Sequence, residues 1–309
     1  MTRIHEALTK AAQDHSAAHA SDSPFHLDSP ELAESRSAAP ARTEARIRVN
    51  VVDRHATDTL EFDDLRKGCS SPKWSLDPAV NIFSGLGLNA VGAEQFRSLR
   101  SRLCQLRASQ PVRTILITSA LAGEGKTFVT LNLAQAIVQQ PDQRALIIDA
   151  DLRSSRLHRL LGAPHTPGLS DYLEGKADEI AVMQSSQEGN LYLVPGGTKV
   201  ANPSELLANG RLKRLIDRVA PLFDWVIVDS PPCLPVTDAN VAADCCDALL
   251  LVVKAYSTPA EIAQRAKEEL RGKNVLGVVF NSVSHKLLTY GSYYGYPGNG
   301  NGQIKNSTE

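Results

Sequence analysis

The chain of 309 residues contains no apolar run long enough to cross a membrane. Its best candidate, residues 248–253, has the length of a strand, whereas a membrane-spanning helix needs about 20 apolar residues. The opening MTRIHEALTK also lacks the apolar core of a signal peptide. Neither sign of charge dominates, since 33 Lys and Arg face 34 Asp and Glu. We therefore predict a cytoplasmic protein without a nucleic-acid partner.

The cysteines and histidines give no sign of disulfides or of a metal site, and aromatic residues are few. The five cysteines form no CxxC pair, which is typical of a reduced cytosolic protein, and the eight histidines show no metal-ligand spacing. Aromatic residues make up only 5% of the chain, yet four of the seven tyrosines fall within seven residues of a Gly/Ser-rich tail. These are Tyr290, Tyr293, Tyr294 and Tyr296. Their clustering fits a low-complexity tail and a group of phosphate acceptors equally well.

The most informative stretch is residues 113–132, RTILITSALAGEGKTFVTLN. A buried strand, a glycine-containing turn and an apolar-periodic helix are predicted in that order, which is the context of a phosphate-binding loop. Gly123 and Gly125 allow successive backbone N–H groups to line one concavity at the positive end of the helix. Lys126 can then reach the β- and γ-phosphates of a nucleotide, and the Thr127 hydroxyl can ligate Mg²⁺. Ala120 replaces the first glycine of the usual pattern.

Two further apolar strands end in carboxylates. LIIDADLR places Asp149, Asp151 and Arg153 after one strand, and VIVDSPP places Asp229 after another. Ligands of open α/β sheets bind at the carboxyl ends of the strands, so these acids are expected beside the phosphate loop. There they can hold Mg²⁺, directly or through water, and one can accept a proton from an attacking hydroxyl.

Apolar strands alternate with helices from about residue 89 onward, which predicts an α/β fold with a parallel sheet flanked by helices, like that of P-loop NTPases. Short helical pieces are expected near residues 169–173 and 180–183, and Asn202 and Pro203 are expected to start another helix. We divide the chain into a short amphipathic helix (1–14), a disordered linker (15–45), an arm of uncertain structure (46–88), the P-loop domain (89–284) and a flexible tyrosine-rich tail (285–309). The amphipathic segment fits a docking peptide and a frayed terminus equally well.

A predicted helix over residues 91–106 carries Glu94, Arg97 and Arg100 on one stripe. By pattern alone this stripe is a solvated surface, because most surface charges have no further role.

Taken together, these motifs resemble the bacterial tyrosine kinase family, the P-loop autokinases of capsule and exopolysaccharide systems. The resemblance covers about residues 88–300. ILITSALAGEGKT is similar to the family's Walker A motif, with Ala122 where proline is usual, LIIDADLR to its Walker A′ motif and WVIVDSPP to its Walker B motif. NPSELL at residues 202–207 and the tyrosine cluster match as well. The opening MTRIHEAL is weakly similar to some exopolysaccharide-associated members.

The resemblance implies a tyrosine autokinase that uses ATP and Mg²⁺. Lys126 would bind phosphates, Thr127, Asp151 and Asp229 would hold the metal, and Asp149 would be the base, with the roles of Asp149 and Asp151 open to exchange. The residues expected to contact the nucleotide are Gly123, Glu124, Gly125, Lys126, Thr127, Phe128 and Arg153. The expected catalytic residues are Lys126, Asp149, Asp151 and Asp229.

The resemblance also changes the interpretation of the charged stripe. Glu94, Arg97 and Arg100 match the family's subunit-contact motif, which implies a ring-like homo-oligomer, such as an octamer, in which one subunit's tail enters its neighbour's site. The chain lacks the transmembrane hairpin of many members, so it resembles the soluble form that a separate membrane-bound polysaccharide co-polymerase activates at the inner face of the membrane.

A different class of function remains as the alternative. Partition and septum-positioning ATPases share the fold and act as nucleotide-gated switches without kinase activity, but their loop carries an extra lysine where this chain has Leu121. An inactive kinase-like scaffold is also compatible with the motifs.

Overall fold

A seven-stranded sheet runs through the computed structural model, which describes residues 60–83, 90–187 and 189–283. The strands are β1 Thr114–Ser119, β2 Ala145–Asp149, β3 Gln184–Ser185, β4 Leu191–Val194, β5 Trp225–Asp229, β6 Ala248–Lys254 and β7 Val275–Asn281. The described helices are α1 Phe62–Gly68, α2 Ala90–Ser109, α3 Lys126–Val138, α4 Leu157–Leu161, α5 Leu169–Leu173, α6 Pro203–Ala208, α7 Arg211–Val219, α8 Asp238–Ala243 and α9 Ala260–Glu269. A 3₁₀ turn, Ala220–Leu222, follows α7.

The strand order is β3-β4-β2-β5-β1-β6-β7, and every neighbouring pair is parallel except β3 with β4. Strand β5 lies between β1 and β2, with Asp229 opposite Ile117 on one side and Asp149 on the other. Because parallel strands end at the same edge, this register brings the phosphate loop after β1 and both acidic strand ends together. The predicted parallel α/β sheet flanked by helices is confirmed for the described residues.

Each face of the sheet is covered by helices, which explains why the central strands β2, β5 and β1 are buried along their whole length. Ile115 and Leu116 are adjacent in β1 and therefore point to opposite faces. Ile115 packs in a cluster with Leu103 of α2 and Ile137 of α3. Leu116 packs in a second cluster to which α1 and α5 to α9 contribute. The site thus rests on strands fixed by packing on both sides.

Residues 60–83, for which the sequence offered no clear periodicity, pack on this core. Leu65 of α1 is fully buried in the Leu116 cluster, and the Phe62 ring meets Tyr192 edge-on at 5.9 Å. Ser70 then bridges to Gln184 of the edge strand, after which Trp74 packs against the cluster on the opposite face. The segment therefore passes around the β3 edge of the sheet and contributes to both cores.

Some local predictions need correction. The helix expected over residues 180–183 is wrong, because these residues form turns that lead into β3. Helix α6 begins at Pro203 as predicted, but the Asn202 side chain donates to Glu205 Oε2 at 3.4 Å and makes no capping bond to the backbone. Helix α8 was not expected. The predicted segments 1–14, 15–45 and 285–309 lie outside the described residues, as do residues 46–59 and 84–88 of the predicted arm.

Across residues 60–83, 90–187 and 189–283, the helices are all too short or too polar to span a lipid bilayer.

Candidate active site

The loop between β1 and α3 has the backbone of a phosphate cradle. Gly123 and Gly125 have φ angles of 82° and 93°, in the left-handed region that favours glycine. A Cβ built on Gly125 would lie 1.9 Å from Asn281 Nδ2, so this position is also closed to a side chain by packing. Ala120, which replaces the first glycine of the pattern, is fully buried.

Lys126 opens helix α3 and lies among the carboxylates at the sheet edge. Its Nζ is 2.7 Å from Asp151 Oδ2 and 4.0 Å from Asp229 Oδ2. Burial lowers the pKa of Lys126, but the charges of Asp229 and Asp151 outweigh burial, so the net pKa is raised. The ammonium group therefore stays charged where nucleotide phosphates would lie.

Thr127 and Asp229 form a pair of oxygen donors beside this lysine. The Thr127 hydroxyl donates to Asp229 Oδ2 at 2.7 Å, and Thr130 donates to Oδ1 at 3.3 Å. Asp229 is 1% exposed. Burial and the charge of Asp151 raise the pKa of Asp229 to about 6, although Lys126 and the two hydroxyl groups act in the opposite direction.

Asp149 is fully buried and accepts hydrogen bonds on both carboxylate oxygens. Its Oδ2 accepts from the Ser155 hydroxyl at 2.7 Å and from the backbone N–H groups of Arg156 and Leu157 at 3.2 Å each, at the start of α4. Its Oδ1 accepts from the N–H of Asp151 at 3.3 Å. Burial, followed by the charge of Asp229, raises the pKa of Asp149 to about 7. Asp149 thus holds the local chain and also titrates close to neutrality.

The donor set fits magnesium bound together with a nucleotide better than a metal held by protein alone. No group of three His, Cys, Asp or Glu side chains among the described residues could hold a metal ion, and Lys126 contacts both Asp151 and Asp229. Proteins usually hold Mg²⁺ through one or two carboxylates, with substrate phosphates and water as the other ligands. Thr127, Asp151 and Asp229 supply oxygens of that kind.

Two residues expected to contact the nucleotide have side chains that make other contacts, Glu124 within and beside the loop and Phe128 on α2. The buried Glu124 carboxylate accepts from the N–H of Leu121 at 2.6 Å and from the hydroxyl of Thr258. Phe128 packs its ring edge-on against Phe96 of α2, with 6.0 Å between ring centroids. If Glu124 binds phosphate, its backbone N–H is the group that does so.

Arg153, expected to contact the nucleotide, forms a clamp with Asp238 and Ser204, whose roles the sequence did not indicate. Its guanidinium contacts Asp238 of α8 through two bonds of 2.8 and 3.0 Å and donates to the Ser204 hydroxyl of α6 at 2.8 Å. Asp238 is fully buried. The clamp joins the loop after β2 to two helices, and an acid in the first turn of α8 was its one sequence signal.

The three residues of the charged stripe on α2, Glu94, Arg97 and Arg100, do not share one environment. Arg97 pairs with Glu94 at 3.4 Å on an exposed surface, and its guanidinium also lies 5.9 Å from the centre of the Phe83 ring. Arg100 instead donates to the carbonyl of Ala136 near the end of α3. The predicted phosphate acceptors Tyr290, Tyr293, Tyr294 and Tyr296 lie outside the described residues.

Fold and site together define a P-loop nucleotide-binding protein: a lysine and a hydroxyl follow a glycine loop, and acids end the neighbouring strands. A family model described as an AAA domain matches residues 112–262. Tyrosine-protein kinase YwqD of Bacillus subtilis is 33% identical over 220 residues, which cover 71% of this chain and 91% of that protein. Tyrosine-protein kinase CpsD of Streptococcus agalactiae is 33% identical over 206 residues, or 66% of this chain and 89% of that protein.

Solved structures agree with these relatives. The kinase domain of Escherichia coli tyrosine kinase ETK matches with a TM-score of 0.59 and 33% identity, covering 68% of this chain and 80% of that domain. The chimerical protein CapA2B2 matches with a TM-score of 0.62 and 27% identity, covering 72% of this chain and 99% of that one. The chain therefore belongs to the bacterial tyrosine kinase family, and its enzyme class is protein-tyrosine kinase.

Proposed function

We propose that this kinase transfers the γ-phosphoryl group of ATP, with Mg²⁺, to the tyrosines of its own C-terminal cluster, one subunit acting on the tail of another. The observation that carries the proposal is the contact of Lys126 with Asp151 and of Thr127 with Asp229 at the sheet edge. Membership of the tyrosine kinase family supports tyrosine as the acceptor. The clustering of Tyr290, Tyr293, Tyr294 and Tyr296 supports the tail as the substrate.

Phosphoryl transfer depends mainly on positioning and charge neutralisation. The N–H groups around Gly123 and Gly125 would hold the phosphates, and Lys126 would exchange its contact with Asp151 for phosphate oxygens. Thr127, Asp151 and Asp229 would hold Mg²⁺, which would neutralise charge on the phosphates.

We propose Asp149 as the base that accepts the tyrosine proton. A carboxylate whose pKa is raised to about 7 is suited to proton transfer at neutral pH. Because Asp149 is fully buried and bonded to Ser155 and the start of α4, this role requires the local chain to move before a tyrosine hydroxyl can reach the carboxylate. Asp151, which contacts Lys126 and is 4% exposed, is the competing candidate.

The two carboxylates can be separated by their dependence on magnesium. Asp149→Asn and Asp151→Asn are both expected to lower kcat by a factor on the order of 100 or more. Only Asp151→Asn should raise the Mg²⁺ concentration needed for half-maximal activity. If Asp149→Asn changes the magnesium requirement and Asp151→Asn does not, the two roles are reversed.

The central test is phosphotyrosine formation by the purified full chain with Mg-ATP, with and without peptides from candidate membrane activators. Wild type should become phosphorylated, while Lys126→Met and a variant with all four tail tyrosines changed to Phe should not. Mixing Lys126→Met with the four-Phe variant should restore signal on the Lys126→Met chain, since one supplies a tail and the other a site. Continued absence of signal with an activator would instead favour a nucleotide-gated switch or a scaffold.

We further propose that the kinase works in a ring-like homo-oligomer recruited to the inner face of the membrane by a membrane-bound polysaccharide co-polymerase, and so regulates capsule or exopolysaccharide synthesis. Each tail phosphate adds about −1.5 to −2 charges. Several on one tail repel one another and weaken contacts that involve Arg97 and Arg100. Phosphorylated protein should therefore elute as a smaller species than dephosphorylated protein in size-exclusion chromatography, and equal sizes would contradict this regulation.

A further inference from the structure

The carboxyl ends of β6 and β7 lie next to the phosphate loop. Strand β6 pairs with β1, which leads into the loop, and β7 pairs with β6 so that Lys254 lies opposite Asn281. The N–H of Ala255 donates to the carbonyl of Asn281 at 2.9 Å and holds the two strand ends together. Residues of these two strands and of the turn after β6 are thus in reach of the loop backbone.

Glu124 is the loop residue that the turn after β6 contacts. Its carboxylate is 3% exposed and accepts from groups on two sides: the N–H of Leu121 within the loop at 2.6 Å, and outside it the Thr258 hydroxyl and the N–H of Lys254, the latter at 3.4 Å. A buried carboxylate needs such donors, because an unpaired one is costly. Glu124 therefore ties the loop to the turn between β6 and α9.

Asn281 makes a second tie at the next residue. Its Nδ2 donates to the carbonyl of Glu124 at 2.9 Å and occupies the space that a side chain on Gly125 would need. Its Oδ1 accepts from the N–H of Ser282 at 2.9 Å, which fixes the orientation of the amide group. One asparagine thus holds the backbone of the loop immediately before Lys126.

We propose that Asn281 and Thr258 are positioning residues for the nucleotide: with Glu124 they form a clasp that holds the phosphate loop in its binding conformation. The inference rests on the proposed nucleotide site. A loop that binds phosphates through backbone N–H groups loses affinity when its backbone gains freedom, because binding must then restore the order. The contacts of the clasp lie outside the phosphate concavity. By holding the loop in place before the nucleotide binds, they lower the entropic cost of binding.

The expected effect is on nucleotide affinity. Asn281→Ala and Thr258→Val each remove one hydrogen bond that holds the loop, so each should weaken binding of fluorescent mant-ADP with Mg²⁺ by about fivefold. In steady-state assays the loss should appear as a raised KM for ATP rather than a lowered kcat, since the loop holds substrate and transition state alike. Thr258→Ser keeps the hydroxyl and should restore most of the affinity.

Asn274 provides a matched control at the opposite end of β7. It lies just before β7, at the amino end of the sheet, and its Nδ2 donates to the carbonyl of Asp247 at 2.9 Å. Asn274→Ala therefore removes the same kind of bond away from the loop and should leave the dissociation constant of mant-ADP within twofold of wild type. Melting temperatures of the nucleotide-free variants separate a general loss of stability from a loss of loop order.

The outcomes are distinguishable. If wild type itself fails to bind mant-ADP, the proposed nucleotide site is wrong and the clasp with it. If wild type binds and Asn281→Ala and Thr258→Val bind equally well, the clasp alone is overturned. The clasp is also overturned if Asn274→Ala weakens binding as much as Asn281→Ala, since the effect would then be one of general stability.

Discussion

Asp229 should destabilise the nucleotide-free protein at neutral pH, and Asp229→Asn should therefore stabilise it while abolishing activity. The pKa of Asp229 is raised from an ordinary 3.8 to about 6 in the folded chain. At 1.36 kcal/mol per pKa unit, this difference corresponds to about 3 kcal/mol of stability lost above pH 6. The asparagine keeps the shape, and the hydroxyls of Thr127 and Thr130 can each donate or accept. Allowing about 1 kcal/mol for weaker hydrogen bonds, we expect a net gain of about 2 kcal/mol.

The sign of the pH dependence follows from proton uptake. Between about pH 4 and 6 the unfolded chain has released the proton of Asp229 while the folded chain retains it, so wild-type stability falls as the pH rises through this range. Below pH 4 both states are protonated and the cost disappears. The advantage of Asp229→Asn should thus be full at pH 8 and shrink towards zero near pH 4.

Urea denaturation in EDTA at pH 8, 6 and 4.5 measures this difference. Asp217→Asn is the matched control, because Asp217 is an exposed acid paired with Lys213 on the surface of α7. Its free energy of unfolding should stay within about 0.5 kcal/mol of wild type. A gain for Asp229→Asn that does not depend on pH, or a loss at pH 8, would refute the reasoning from burial.

Three further variants test other contacts. Leu65→Ala should lower the free energy of unfolding by about 3 kcal/mol, since the side chain is fully buried, and a loss below 1 kcal/mol in urea denaturation would mean that α1 is not part of the core. Arg100→Ala should cost about 1 kcal/mol through its bond to α3, and unchanged stability with altered oligomer size would assign it to the subunit contact alone. Arg153→Ala should lower the free energy of unfolding by about 3 kcal/mol, because the buried Asp238 loses its cationic partner and keeps only the hydroxyl of Ser204 among these contacts. Adding Asp238→Asn should recover most of that loss, and an Arg153→Ala variant as stable as wild type would show that the clamp is energetically neutral.

The sequence predicts those parts of the site that a short motif identifies by itself. The strand, the glycine loop and Lys126 are contiguous, and the acids follow apolar strands whose carboxyl ends must meet in a parallel sheet. The expectation that these distant motifs meet in space needed only the rule that parallel strands end at the same edge of the sheet. The strand expected before Asp229 is found as β5, because it is a short apolar run that ends at a polar residue.

The contacts that the sequence did not predict join distant segments through single side chains. Asp238 lies 85 residues after Arg153 and opens a helix too short to show periodicity. Asn281 ends an apolar strand, as Asp149 and Asp229 do, and the same rule could have assigned it to the site edge. Its amide gave no reason to expect metal or proton chemistry, so its role as a loop contact became visible only in three dimensions.

The electrostatics of the site favour occupancy by a cation. Asp149 and Asp229 are buried side by side with raised pKa values, and Lys126 is the positive charge that contacts Asp151 and Asp229. The Mg²⁺ of a bound metal-nucleotide complex would place positive charge next to these acids, and Lys126 would be released to contact phosphate. Since the unfolded chain lacks this arrangement, such binding stabilises the folded state by RT ln(1 + [L]/Kd). The same acids that destabilise the empty site thus make nucleotide binding and folding mutually supportive.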